Sequence, residues 1–170
     1  MIDVKERTIT VDLKAKPFNL TDKDIKWVED TIANMTIEEK IGQLFVNMGA
    51  SRDEEYLKGM LDNYHIGAVR YNPATAEQVY DQNKILQENS KIPLLIAANT
   101  ECGGNGACID GTYVASQVKI GATNDPKYAY EMGRVSGEEA AAIGCNWSFA
   151  PVVDIDMNWR NPVISSRCYS

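Results

Sequence analysis

The stretch Ile92-Pro93-Leu94-Leu95-Ile96-Ala97-Ala98 contains no polar side chain. A strand of that kind cannot turn one face to water, so it belongs in a parallel sheet covered on both faces rather than at a solvated surface. Three further stretches read as strands of the same sheet: Leu44-Phe45-Val46, ending in Asn47 and Gly49; Ala68-Val69-Arg70-Tyr71, stopped by Asn72-Pro73; and a fourth within residues 145–155. Between them the apolar spacing changes to that of helices. Strands and helices that alternate in this way form an α/β fold with a parallel sheet and right-handed crossovers.

The helices carry their own start signals. Thr21 with Asp24, and Thr36 with Glu39, have the spacing of a capping box. Ile25, Val28 and Ile32 follow the first, and Ile37, Ile41 and Leu44 extend an apolar face from the second. Residues 53–64 read as a helix with Tyr56, Leu57, Met60, Leu61 and Tyr64 inward, before a turn at His65-Ile66-Gly67. Thr75 caps a helix to about Glu88, with Val79, Asn83 and Leu86 along one stripe. Pro126 opens another, with Ala129, Met132, Gly133, Ala140 and Ile143 in register. Residues 1–20 alternate weakly at Ile9, Val11 and Leu13 and read as a short strand or arm, which leaves 21–170 as the domain.

Composition narrows the function classes. The chain has 170 residues, 44% hydrophobic and 24% charged, as expected for a globular domain with a core. With 24 acidic against 17 basic residues the net charge is −7, which argues against a nucleic-acid partner. No apolar run is long enough to span a membrane. The first residues lack the apolar core of a signal peptide, so a cytoplasmic address is expected. Cys102, Cys108, Cys145 and Cys168 show no C-x-x-C spacing and read as reduced, mostly buried thiols. His65 is the single histidine and precedes the second strand, away from the end where parallel α/β folds place their sites.

The first two strand-to-strand intervals are near the length of a βαβ unit, and the third is longer. The excess falls in residues 99–124, after the third strand, and contains Asn99-Thr-Glu-Cys-Gly-Gly-Asn-Gly-Ala-Cys-Ile-Asp-Gly-Thr112. Gly103, Gly104, Gly106 and Gly111 allow either tight turns alone or close approach of backbone to a ligand. The loop is neither a dinucleotide fingerprint nor a phosphate-binding P-loop, because the required spacing and the Gly-Lys-Ser/Thr are missing. Asn99 and Glu101 lie at the strand end. Asn47, Asn72, Asp154 and Asp156 lie at the other expected strand ends, with Arg167 a little later. Amides, carboxylates and a forked guanidinium suit directional recognition of sugar hydroxyls. Asn47, Asn72 and Asp156 also read as turn residues, Asp154 follows Pro151-Val152-Val153 as a buried acid in need of partners, and Arg167 also reads as solvated.

Several segments, in order, resemble glycoside hydrolase family 3. Met35-Thr-Ile-Glu-Glu-Lys-Ile-Gly-Gln-Leu-Phe45 resembles its opening helix, and Ile92 to Gly104 its third strand and D-x-E-G-G loop. Gly121-Ala-Thr-Asn-Asp-Pro126 is similar to the approach to its next helix, and Gly144-Cys-Asn-Trp-Ser-Phe-Ala-Pro-Val-Val-Asp154 to its fourth strand. Asn161-Pro-Val-Ile-Ser-Ser-Arg-Cys-Tyr169 resembles its N-P-x-I-x-x-R-S-F/Y segment. The resemblance implies a retaining β-glycosidase, of β-N-acetylhexosaminidase or β-glucosidase type, on a (β/α)8 barrel, with no metal or organic cofactor. It places first-subsite sugar contacts on Asn99 and Arg167; Glu101 and Asp154, from the strand-end set, are further substrate-binding candidates. Asn99 departs from the family's aspartate, and Gly-Asn-Gly replaces its common Gly-Gly-Arg.

A full barrel needs about 250 residues. The chain is therefore expected to be the first half of one, truncated after the fourth strand. The family's Lys-His loop and aspartate nucleophile are expected beyond residue 170, so no catalytic residue is assigned within the chain and the isolated chain is expected to be inactive. Its expected partners are a carbohydrate substrate and the missing C-terminal half of the barrel. The alternatives are a non-catalytic, sugar-binding or self-associating half-barrel, and an unrelated parallel α/β nucleotide-binding domain.

Overall fold

The computed structural model describes residues 11–169. Two N-terminal helices, α1 (Asp22–Asn34) and α2 (Ile37–Gly42), lead into β1 (Val46–Gly49). Then follow α3 (Glu54–Tyr64), β2 (Ala68–Tyr71), α4 (Ala76–Asn89) and β3 (Leu95–Ala98). After a 3-10 turn at Gly104–Gly106 come α5 (Gln117–Gly121), α6 (Pro126–Ala142) and β4 (Trp147–Ser148). The four strands form one sheet in the order β1-β2-β3-β4, every pair parallel. Sequential order without a switch point is the arrangement of successive βα steps in a (β/α)8 barrel, not of a doubly wound sheet.

Thr21–Asp24 and Thr36–Glu39 form the reciprocal capping boxes that their spacing predicts, at the start of α1 and α2, and Thr75, expected as a cap of α4, forms a further box with Gln78. Asp125 caps α6, with Pro126 in its first turn. His65 ends α3 in the left-handed region, at φ 50°.

Alternation along the strands gives the sheet two different faces. Val69, Tyr71, Ile96 and Ala98 point to the helices and join Leu57, Met60 and Leu61 of α3, Val79 and Leu86 of α4, and Ala140 of α6 in one core. Leu57, Val69, Val79, Leu86 and Ile96 are fully buried. Each such side chain stabilises the fold by about 1.5–3 kcal/mol. Polar links close the layer. The Asn83 amide donates to the Ile143 carbonyl at 2.8 Å, and the Tyr71 hydroxyl donates to the Ala107 carbonyl at 2.8 Å. Asn146 donates to the Leu94 carbonyl and accepts from the Ile96 N–H, so its side chain continues the β3–β4 pairing past the end of the strand.

The other face departs from the expectation of a sheet covered on both sides. Val46, Met48, Leu95 and Trp147 lie on it and are 38–50% exposed. In a barrel that face is the interior, filled by side chains from all its strands rather than by helices.

Several local expectations also shift. The first strand starts later than Leu44-Phe45-Val46 suggests: Leu44 and Phe45 form the turn before β1 and are exposed, and Asn47 lies inside the strand opposite Val69. Tyr56 and Tyr64 are exposed, because the inward stripe of α3 is only as wide as Leu57, Met60 and Leu61. Ile32, Ile37 and Ile41 share an apolar spacing that nothing covers among the described residues. Residues 11–20 form turns and no strand, and the rest of the expected arm, including Ile9, lies outside the described residues. Cys108, Cys145 and Cys168 are buried and Cys102 is half-buried.

Candidate functional site

The C-terminal end of β3 is held from two sides. The Thr100 and Ser148 hydroxyls meet at 2.8 Å, and the Ser136 hydroxyl of α6 donates to the Thr100 carbonyl at 3.3 Å. Asn99 and Glu101 therefore leave the strand in set directions.

Both oxygens of Glu101 are engaged by Arg167. Arg167 Nε donates to Glu101 Oε2 at 2.9 Å, and Nη2 donates to Oε1 at 2.7 Å. This is a bidentate fork, the geometry in which a guanidinium binds a carboxylate most specifically. It joins residues 66 apart in sequence. Arg167 reaches this place because the end of the chain is packed down beside it: Cys168 is fully buried, and Gly121 of α5 lies so close to the Tyr169 carbonyl that a Cβ there would overlap it. The segment after β4 is clamped in turn by Gln117 of α5, whose amide donates to the Val152 carbonyl at 2.9 Å and accepts from the Val152 N–H at 3.0 Å.

The hydrogen bonds to Glu101, then its charge, hold the Arg167 guanidinium above the usual arginine range, and Asp154 adds to the effect. Asp154 therefore belongs to the same electrostatic group, but as an exposed acid, not a buried one: the chain after β4 runs over the surface, and Val153 beside it is 84% exposed. Burial, followed by the neighbouring Glu101 charge, pushes the Cys102 thiol up.

Asn99 faces a different partner. Arg70 of β2 donates from Nε to Asn99 Oδ1 at 3.4 Å and from Nη1 to Met48 sulfur at 3.2 Å. In register Arg70 lies between Met48 of β1 and Ala97 of β3, on the sheet face opposite the helices. In sequence Arg70 reads as an ordinary strand residue. The available signal was a lone charge within an otherwise apolar strand.

The glycine loop is explained by its own packing. A Cβ on Gly104 would overlap the Glu139 carboxylate, one on Gly106 the Asn99 carbonyl, and one on Gly111 the Gly104 backbone. Gly103 adopts φ 135°, which disfavours any side chain. Glu139 Oε2 also accepts from the Thr112 N–H at 2.8 Å. The close approach that these glycines permit is of the loop to itself, to Asn99 and to α6. Gly106 therefore bears on the site by letting the loop close behind Asn99.

The remaining strand-end candidates stay apart from this group. Asn72 follows β2 and its carbonyl accepts from Arg52, as a turn residue would. Asp156 has one oxygen that is buried without a hydrogen-bond partner. His65 lies at the opposite end of the sheet, before β2. Among the described residues no group of three His, Cys, Asp or Glu is placed to hold a metal ion.

Residues 36–170 match the model of the glycosyl hydrolase family 3 N-terminal domain. The chain belongs to this family. It is 40% identical over 159 residues to a beta-N-acetylglucosaminidase/beta-glucosidase of Cellulomonas fimi, a match covering 94% of this chain and 28% of that protein. It is 32% identical over 138 residues to the periplasmic beta-glucosidase of Salmonella typhimurium, covering 79% of this chain and 17% of that one. Among solved structures, the beta-glucoside phosphorylase BglX bound to 2FGlc superposes with a TM-score of 0.85 at 40% identity, over 92% of this chain and 29% of that chain. The chain thus spans less than a third of the length of each of these relatives.

Proposed function

We propose that this family 3 domain forms part of the first sugar subsite of a retaining β-glycosidase, acting on O-glycosyl bonds of β-glucosides or β-N-acetylglucosaminides. The observation that carries the reading is the Glu101–Arg167 fork beside Asn99 at the C-terminal end of β3, in a chain 40% identical to a relative named for both activities. Arg167 donates to sugar hydroxyls through N–H groups that Glu101 does not use. Glu101 acts mainly by fixing the plane of that guanidinium. Asp154 adds negative charge behind it, and the Asn99 amide meets a further hydroxyl.

The chemistry is double displacement. A carboxylate attacks the anomeric carbon as the leaving oxygen takes a proton, and the glycosyl-enzyme is then opened by an acceptor. The nucleophile and the acid/base group are assigned to parts of the enzyme outside residues 1–170. Residues of this domain orient the donor sugar, so their removal should act on the chemical step as well as on binding.

The test is Arg167→Ala in the full-length enzyme, assayed on aryl β-glucoside and aryl β-N-acetylglucosaminide. A loss of about 10²-fold or more in kcat/KM is expected for removing a substrate-positioning guanidinium. Unchanged kinetics would remove Arg167 from the subsite. The likeness to a beta-glucoside phosphorylase favours a second reading in which the acceptor is inorganic phosphate instead of water. Product analysis with and without phosphate separates the two, giving sugar 1-phosphate in one case and free sugar in the other. If the full-length protein turns over neither substrate yet binds glucose, a non-catalytic sugar-binding role replaces both.

A further inference from the structure

We propose that Arg70 is a positioning residue that locks the Asn99 amide with its Nδ2 hydrogens available to the sugar, so that this corner of the subsite donates hydrogen bonds where a carboxylate would accept them. The inference rests on the reading that Asn99 meets the sugar. It adds the polarity of that contact and the sugar atom it selects.

A guanidinium has five N–H donors and no acceptor. Arg70 Nε therefore requires an acceptor opposite it, and at 3.4 Å that atom is Asn99 Oδ1. Turning the amide over would set its NH2 against the guanidinium N–H, donor against donor. The second arm of Arg70 is spent on Met48 sulfur at 3.2 Å, which keeps the guanidinium from swinging away. Nδ2 has no protein acceptor among the described residues, so its two hydrogens are left for a ligand.

An aspartate at position 99 would pair with Arg70 as an ion pair and offer only acceptors. Asparagine reverses this. It presents donors, and it leaves Arg70 without a carboxylate partner among the described residues. The sugar oxygen that meets Asn99 must then accept a hydrogen bond and need not donate one.

Deoxy and deoxyfluoro sugars distinguish the two polarities. A fluorine in place of a hydroxyl accepts weakly and cannot donate, whereas a hydrogen does neither. The experiment measures inhibition of the full-length enzyme by glucose and by its monodeoxy and monodeoxyfluoro analogues, in the wild type and in variants. In the wild type, at one ring position, the fluoro analogue should bind roughly two- to tenfold tighter than the deoxy analogue, the range of one net hydrogen bond. In Arg70→Met the amide is free to turn and the advantage should vanish. Arg70→Ala gives a second replacement without a donor, with the same expectation, if Arg70→Met does not fold. Arg70→Lys, which keeps a donor facing Oδ1, should restore part of it. Asn99→Asp should abolish the preference for fluorine.

Two failures are distinguishable. If Asn99→Ala leaves glucose inhibition unchanged, the sugar does not reach Asn99, and both the contact and its polarity are overturned. If Asn99→Ala weakens glucose but the fluoro-to-deoxy ratio is the same in Arg70→Met as in the wild type, Asn99 stays in the subsite and Arg70 does not orient it.

Discussion

Under the proposed function, Glu101 serves the subsite by holding Arg167. Both its oxygens are occupied by Arg167. Glu101→Gln keeps the shape, removes the charge and replaces one acceptor by a donor that faces a guanidinium N–H. The expected result in the full-length enzyme is a fall of roughly tenfold in kcat/KM, from misplacement of Arg167. An unaltered value would show that Arg167 is held without it. Cys108 carries a different residue-scale expectation. Burial, then the neighbouring Asp110, pushes its thiol up to about 11, against an ordinary value of 9.0. Cys102, Cys145 and Tyr71 are raised too, each chiefly by burial. A raised folded-state pKa means that the unfolded chain gives up its proton first. The stabilisation is complete below about pH 9 and is lost as pH climbs toward about 11. Urea denaturation at about pH 8 and about pH 10.5 should therefore give a lower midpoint at the higher pH.

At the scale of elements, glycines that look alike in sequence behave in opposite ways. Gly106 lies against the Asn99 carbonyl, and Gly137 in α6 has nothing within 4 Å of where a Cβ would sit. Gly106→Ala should cost about 1–3 kcal/mol, the range for forced overpacking, and should displace Asn99. Gly137→Ala, in a helix interior, should stabilise the chain by about 0.5–1 kcal/mol. Chemical denaturation of the two variants should move the midpoint in opposite directions. The caps act at this scale as well. Thr75 accepts from the Gln78 N–H and starts a helix that contributes the fully buried Val79 and Leu86. Thr75→Ala should cost about 1 kcal/mol by the same measurement.

For the whole molecule, the notable property is how much apolar surface is left open. Val46, Met48, Leu95, Trp147 and Phe149 are exposed on and beside the inner sheet face, and Ile32, Ile37 and Ile41 on the N-terminal helices. β1 and β4 each pair with only one strand among the described residues, so the sheet has two unpaired edges. Open edges beside a broad apolar face favour self-association and binding of hydrophobic dyes. Sedimentation of the 170-residue chain should show concentration-dependent species larger than 18.9 kDa, together with strong fluorescence of an added apolar dye. A dye-silent monomer would mean that this face is covered in a way the described residues do not show.

Much of the fold was legible because its causes are local. The capping boxes at Thr21 and Thr36, the cap at Thr75, the apolar run ending at Ala98, the break at Asn72-Pro73 and the helix start at Pro126 act within a few residues of themselves. They determined the type and order of the elements, and parallel pairing followed from apolar strands joined by helices. Tertiary structure alone decided which polar residues meet. Glu101 reaches Arg167 across 66 positions because the segment after β4 packs down beside it, and Arg70 reaches Asn99 across 29 because β2 and β3 are parallel neighbours. Alternation in sequence shows that a strand has two faces. It does not show which face is wet, and so Asp154 read as buried and Leu44 and Phe45 as strand. Burial is a property of what the rest of the molecule places opposite a side chain, and that is not written in its immediate neighbours.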